Sequence, residues 1–182
     1  MIMKLINFLV LSPLQRWHRS EDGLAAVEAA LVFPVLLTLL LGTFDVGNAI
    51  LANQKAIRAS QVTADLIART SAIDDAGIDE AVEAGELAMQ PMDVDTYGVD
   101  VVSIRFDEDA NAVVEWRETR NMPPLADVLT RVEDLAEADE GVLVVSVKYD
   151  FEPVFAGFVV DTILMREIAF SRGRQGAVIE KL

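Results

Sequence analysis

The chain has 182 residues, enough for one membrane element and one modest folded domain. Its 30 Asp and Glu against 15 Lys and Arg give a net charge of -15, which argues against nucleic-acid binding, since that relies on neutralising phosphates. With no cysteine and a single histidine, His18, the chain excludes disulfide staples, thiol chemistry and histidine-based triads or metal clusters.

Residues 1–23 read as a leader or cytoplasmic tail. Residues 1–14 are apolar except for Lys4 and Asn7, too short to span, and interrupted by Pro13. The basic cluster Arg16-Trp17-His18-Arg19 follows. An ordinary secretory signal fits poorly, because no A-x-A-like site follows an h-region of the usual length.

Residues 24–44 are predicted to form a transmembrane helix. These 21 residues are apolar apart from Glu28 and a few small or hydroxyl residues. At about 1.5 Å per residue they reach roughly 31 Å, enough to cross the hydrocarbon core of a bilayer. Arg16 and Arg19 lie close to the N-terminal end of the span, whereas Lys55 and Arg58 lie ten or more residues beyond the other end. That bias places the N-terminus inside. From Asp45 onward there are 27 acids and 12 bases, so the acidic part is expected on the extracytoplasmic side.

Residues 45–70 are expected to extend the helix. Val46, Ala49, Ile50, Asn53, Ile57, Ala64 and Ile67 recur at helical steps and form one stripe. Asp65 and Arg69 have the spacing of an i,i+4 ion pair. Residues 71–172 should form an extracytoplasmic α+β domain, with residues 173–182 as a loose polar tail. Within the domain, Ser71-Ala-Ile-Asp74 resembles a helix start. Ile78, Ala81, Val82, Gly85 and Met89 mark an acidic helix ending near Pro91. Alternation over 101–106 and 112–119, joined by the polar turn at 107–111, predicts a hairpin. In it Ala112, Val114 and Trp116 share one face. Pro123-Pro124 then opens a third predicted helix with Leu125, Val128, Leu129, Val132, Leu135 and Ala136 on its apolar face. Residues 143–151 alternate as a strand, and another is expected at 164–170. The stretch 154–165 is apolar, but it is short and broken by Asp161, so it is not a second span. The order α-α-β-β-α-β-β describes an α+β fold: a long N-terminal transmembrane helix running into a pilin-like domain with a small antiparallel sheet.

The sequence offers no catalytic constellation: neither a P-loop nor a G-x-S-x-G motif is present. Asp93, Asp95, Gly98 and Asp100 hint at a calcium loop. However, Tyr97 stands at its fifth position and Ile104 at its twelfth, where glutamate is required. No metal or cofactor is expected, and the many carboxylates read as a solvated acidic face. Trp116 and Tyr149 alternate with polar residues and read as core.

Glu28 is the exception, because an ionisable group inside a span is costly and marks function. The span carries no Lys or Arg, so a cationic partner must come from elsewhere. Without one, the side chain snorkels or stays protonated. Gly23-Leu-Ala-Ala-Val-Glu28 resembles a type IV prepilin processing site. The wider run to Leu37, with Gly42 and Asp45-Val-Gly47, is similar to the TadE-like family (TadE and TadG), pseudopilin-like components of the tight-adherence, or Flp, pilus machinery of bacteria. The likeness covers about residues 19–65. It implies that prepilin peptidase cuts between Gly23 and Leu24. Glu28 would then be the fifth residue of the mature chain, its carboxylate meeting the new amine of a neighbouring subunit. Pro34 would kink the helix, as is usual in such segments. The implied protein is a non-enzymatic, single-pass inner-membrane component with a periplasmic domain. Its partners would be other pilus subunits, inner-membrane assembly proteins and the lipid bilayer. The competing reading is an unrelated single-span protein with an acidic extracytoplasmic binding or adaptor domain.

Overall fold

A computed structural model of the chain describes residues 21–182 except 134, 158, 176 and 177; the basic cluster at 16–19 lies outside the described residues. Helix α1 (Glu21–Ile67) is followed by strand β1 (Ala72–Ile73), helix α2 (Asp75–Met89) and strands β2 (Gly98–Phe106), β3 (Ala112–Arg120), β4 (Gly141–Phe151), β5 (Ile163–Ser171) and β6 (Glu180–Lys181). The fold is α+β. Two compact units divide it, one ending at Asp45 and the other running from Val46 to Leu182.

The main sheet is antiparallel, with strand order β3-β2-β4-β5, and one of its faces carries the larger core. There Val99, Val101, Leu143, Val145, Val147 and Phe151 pack with Ala52, Ala56 and Ala59 of α1 and with Ile78 and Met89 of α2. The buried stripe of α1 follows the predicted one only in part, sharing Ala64 and Ile67 with it. Ala52, Ala56, Ala59, Ser60, Thr63, Ala64 and Ile67 are buried, whereas Val46 and Ile50 are exposed. Small side chains let the helix approach its neighbours closely, and Thr63 Oγ1 donates to Ala81 O at 3.1 Å. A search for large apolar residues therefore misses the small ones that this helix buries between Ala52 and Thr63. The expected Arg69–Asp65 pair forms at 2.5 Å, and Arg174 joins the same carboxylate. Helix α2 starts where Asp74 accepts the Gly77 N–H at 2.8 Å, an N-cap worth about 1 kcal/mol.

Both hairpin strands form, but a β-bulge shifts their register between Ser103 and Ile104. Ile104 faces Val114 while Ser103 faces Trp116, leaving Glu115 as the extra residue. A bulge reverses the side-chain phase beyond it. Trp116 therefore joins the larger core, away from Val114, correcting the single face expected for Ala112, Val114 and Trp116.

The opposite face of the sheet buries Val102, Ile104, Phe106, Val142 and Val144 beneath Leu125, Val128 and Val132. These last three belong to the predicted third helix, yet residues 126–133 form turns. The apolar positions were read correctly and the backbone was not. Side chains of the sheet hold the segment's start: Asp100 accepts the Leu125 N–H at 2.9 Å, and Arg117 donates to Leu125 O at 2.9 Å. A segment so short gains too few helical hydrogen bonds to outweigh such tertiary contacts.

The tail is not loose. Ile179 is buried, and its carbonyl accepts from Trp116 Nε1 at 2.7 Å and Ser103 Oγ at 3.0 Å. Beyond it β6 pairs parallel with β1, and Lys181 binds Glu118 and Asp75.

Candidate functional site

The candidate site is the first half of α1, where the helix is apolar on every side and its large residues are exposed. Leu24, Leu31, Phe33, Leu36 and Leu40 all face outward. A helix that is hydrophobic all round belongs in a protein core or a membrane. Among the described residues this is the one helix long and apolar enough to cross a bilayer, and its apolar window is not buried in the chain's own core.

Gly23, Leu24, Glu28 and Pro34 all lie on this continuous helix, with Gly23 two residues after its first residue, Glu21. Residues 24 and 28 are four apart, so they share a face and are separated by about 6 Å along the axis. Glu28 is exposed, as are Gly23, Ala25, Ala26, Ala29 and Ala30 around it. Among the described residues a Cβ added at Gly42 or Gly47 would meet no atom within 4 Å outside the helix's own nearby backbone, so no packing there requires glycine.

Pro34 has no N–H, which leaves the carbonyl of Ala30 without its usual i+4 donor. Its own carbonyl takes an added bond, from Thr38 Oγ1 at 2.8 Å. Thr43 Oγ1 repeats this arrangement on Leu39 O at 2.7 Å. Such back-bonding satisfies hydroxyls where no water is present. The sequence reading passed over both threonines. Their signal is a hydroxyl four residues after Pro34 and another four after Leu39.

Elsewhere the carboxylates are engaged structurally. Asp93 accepts the Asp95 N–H at 2.9 Å, while the fully buried Asp100 binds Arg117 at 2.5 Å, so the residues of the imagined calcium loop serve separate purposes. Among the described residues no group of three or more His, Cys, Asp or Glu is placed to hold a metal ion. A cleft of about 580 Å³ has Asp93, Asp150 and Glu152 on its wall beside Tyr149. Asp150 is paired with Lys148 at 2.8 Å. Burial, and then the negative charges of Asp93 and Glu152, push the Tyr149 phenol up.

No curated protein and no solved structure matches the chain. Residues 23–65 match the family model described as TadE-like protein. The match begins at the glycine of the processing-like motif and covers the exposed apolar helix together with the first turns that pack on the domain. The chain thus carries a TadE-like segment at residues 23–65, which with its candidate N-terminal membrane helix fits a component of a Tad pilus.

Proposed function

We propose that the chain is a non-enzymatic, pseudopilin-like component of a Tad-type pilus assembly and secretion machinery. Residues 24–44 anchor it in the inner membrane, with the N-terminus cytoplasmic and the acidic domain periplasmic. Prepilin peptidase cuts between Gly23 and Leu24, leaving a free amine about one helical turn from Glu28. In an assembly, the Glu28 carboxylate of one subunit meets the Leu24 amine of the next. Each charge gains its partner only on stacking, and in the low dielectric of the bilayer that attraction is strong. The small residues around Glu28 and the open positions at Gly42 and Gly47 give a neighbouring helix room to approach. Pro34 is the point where the helix bends to follow its neighbours. Other pilus subunits and inner-membrane assembly proteins are the partners.

The observation that carries this reading is the coincidence of three features at one place. The family match starts at Gly23, an exposed all-apolar helix starts with it, and Glu28 is the acid that helix contains between residues 24 and 44. The test is intact mass spectrometry of the protein from cells with and without prepilin peptidase. A mature form starting at Leu24, seen only with the peptidase, is expected. The full-length chain in both would overturn processing and leave an uncleaved anchor, either TadG-like or an unrelated one with an acidic adaptor domain.

A further inference from the structure

The cleft beside Tyr149 lies wholly within the unit that runs from Val46 to Leu182. Its volume, about 580 Å³, falls in the range of ligand sites, about 300 to 1,000 Å³. One wall is the turn between α2 and β2, and the other is the end of β4. Thr96 pins the two together: its Oγ1 donates to Asp150 O and accepts the Asp150 N–H, both at 3.2 Å. Within the turn, Asp93 Oδ1 accepts the Asp95 N–H at 2.9 Å. The carboxylates of this cleft therefore stand on backbone that is already held in place.

Four carboxylates line it, those of Asp93, Asp95, Asp150 and Glu152. Asp150 is paired with Lys148, but among the described residues no Lys or Arg pairs with the other three. An acidic wall by itself is ordinary solvated surface, and Tyr149 is what distinguishes this one. The residue is 6% exposed, with its ring in the larger core. Among the described residues its hydroxyl has no hydrogen-bond partner. It lines the cleft, close enough to Asp93 and Glu152 for both charges to act on the phenol. A hydroxyl set among negative charges, and offered no donor by the protein, is matched by a ligand that donates and is positively charged.

A metal ion does not suit these acids, because among the described residues no three of them are placed to share one. An arginine does. Its planar guanidinium carries five N–H donors and reaches several acceptors at once. Its methylene stem packs on apolar surface of the kind that Leu51, Met92 and Val154 supply on the cleft walls. The net charge of -15 draws a basic partner towards the chain. We propose that this cleft receives an arginine side chain of a partner protein, its guanidinium held by Asp93, Glu152 and the Tyr149 hydroxyl. The inference depends neither on pilus membership nor on cleavage after Gly23.

The chain has two tyrosines, Tyr97 and Tyr149, so 3-fluorotyrosine places one fluorine signal in the cleft and one outside it. The full chain, labelled in this way and held in detergent micelles, is titrated with acetyl-arginine amide at constant ionic strength. Tyr149→Phe assigns the two signals. The Tyr149 signal should shift and saturate, while that of the buried Tyr97 stays in place. Acetyl-citrulline amide, which has nearly the same shape and no charge, should move neither. Glu152→Gln should weaken the response severalfold, with an unmoved Tyr97 signal reporting an intact fold. No saturable shift at Tyr149 overturns the proposal, and so does an equal shift with the citrulline probe. A shift reached with spermidine at lower concentration than with the arginine probe overturns it too, assigning the cleft to a free polyamine.

Discussion

Helix α1 is one secondary-structure element with two opposite surface chemistries. From Leu24 to Leu40 its large apolar side chains are exposed. From Ala52 to Ile67 the residues that are buried are mostly alanines, with Ser60 and Thr63 among them. In the first half size and exposure go together, and in the second burial goes with smallness. The difference separates two uses of apolar surface. The first half meets a solvent that is itself apolar. The second half meets a sheet and a helix, where close approach matters more than area per residue. Perturbing the packed region should thus leave the anchoring region untouched, and the reverse should hold too.

The largest effect on the packed side is expected at Asp100. Its carboxylate is fully buried, bound to Arg117 at 2.8 and 2.5 Å and to the Leu125 N–H at 2.9 Å. Asp100→Ala strands the guanidinium and that N–H, and should cost about 3–5 kcal/mol. The check is thermal unfolding of the full chain in detergent micelles, followed by near-ultraviolet circular dichroism of the buried Trp116. Fractionation with membranes should be unchanged.

A smaller loss is expected where α1 and α2 touch. A Cβ at Gly85 would collide with Thr63 Oγ1 and stand 2.5 Å from Tyr97 Oη. Gly85→Ala should therefore cost about 1–3 kcal/mol through overpacking, against the gain in helix propensity that alanine usually brings. The same unfolding measurement reads it; a gain in stability would show that the helices separate easily and that small residues are not what α1 requires there.

The mildest effect is on the tail. The Lys181 ammonium, and then Arg120, hold the Glu118 carboxyl below its ordinary value of 4.5. A carboxyl depressed in the folded state lends stability that is present above its unfolded value and is lost as pH falls through the folded one. Asp75, and then Glu118, raise Lys181 above its ordinary 10.5, so its share is present below that value and lost above it as pH rises through the folded one. The amides of Glu180 and Leu182, bonded to Ser71 O at 3.0 Å and Ile73 O at 2.9 Å, should keep constant hydrogen-exchange protection across neutral pH after correction for intrinsic rates. On the acid side their protection should weaken as the pH drops below about 4.5.

The elements legible in the sequence were those whose pattern is set by a large environment. The span is identified by its unbroken apolar length, and α2 from Asp74 and the strand expected at 143–151 by a regular apolar period. What escaped depends on single contacts. The Leu125 backbone anchored by Asp100 and Arg117 replaces a helix with turns. One extra residue, Glu115, turns Trp116 to the other face. The Ile179 carbonyl, held by Trp116 and Ser103, docks a tail whose composition suggested solvent. In the candidate segment Gly23, Leu24, Glu28 and Pro34 are proposed from the sequence because the run around them is otherwise monotonously apolar, so a departure stands out. Thr38 and Thr43 were not, because a hydroxyl among apolar residues carries no periodic signal.

Assembly tests the central claim, that Glu28 finds its counter-charge on another subunit. Glu28→Ala and Glu28→Gln chains would be expressed in cells carrying the pilus machinery. Membrane fractions and cross-linked subunit complexes would then be compared with those of the unaltered chain. The account predicts full membrane insertion and loss of the cross-linked complex for both variants. Complexes formed at the unaltered level by Glu28→Ala would contradict it.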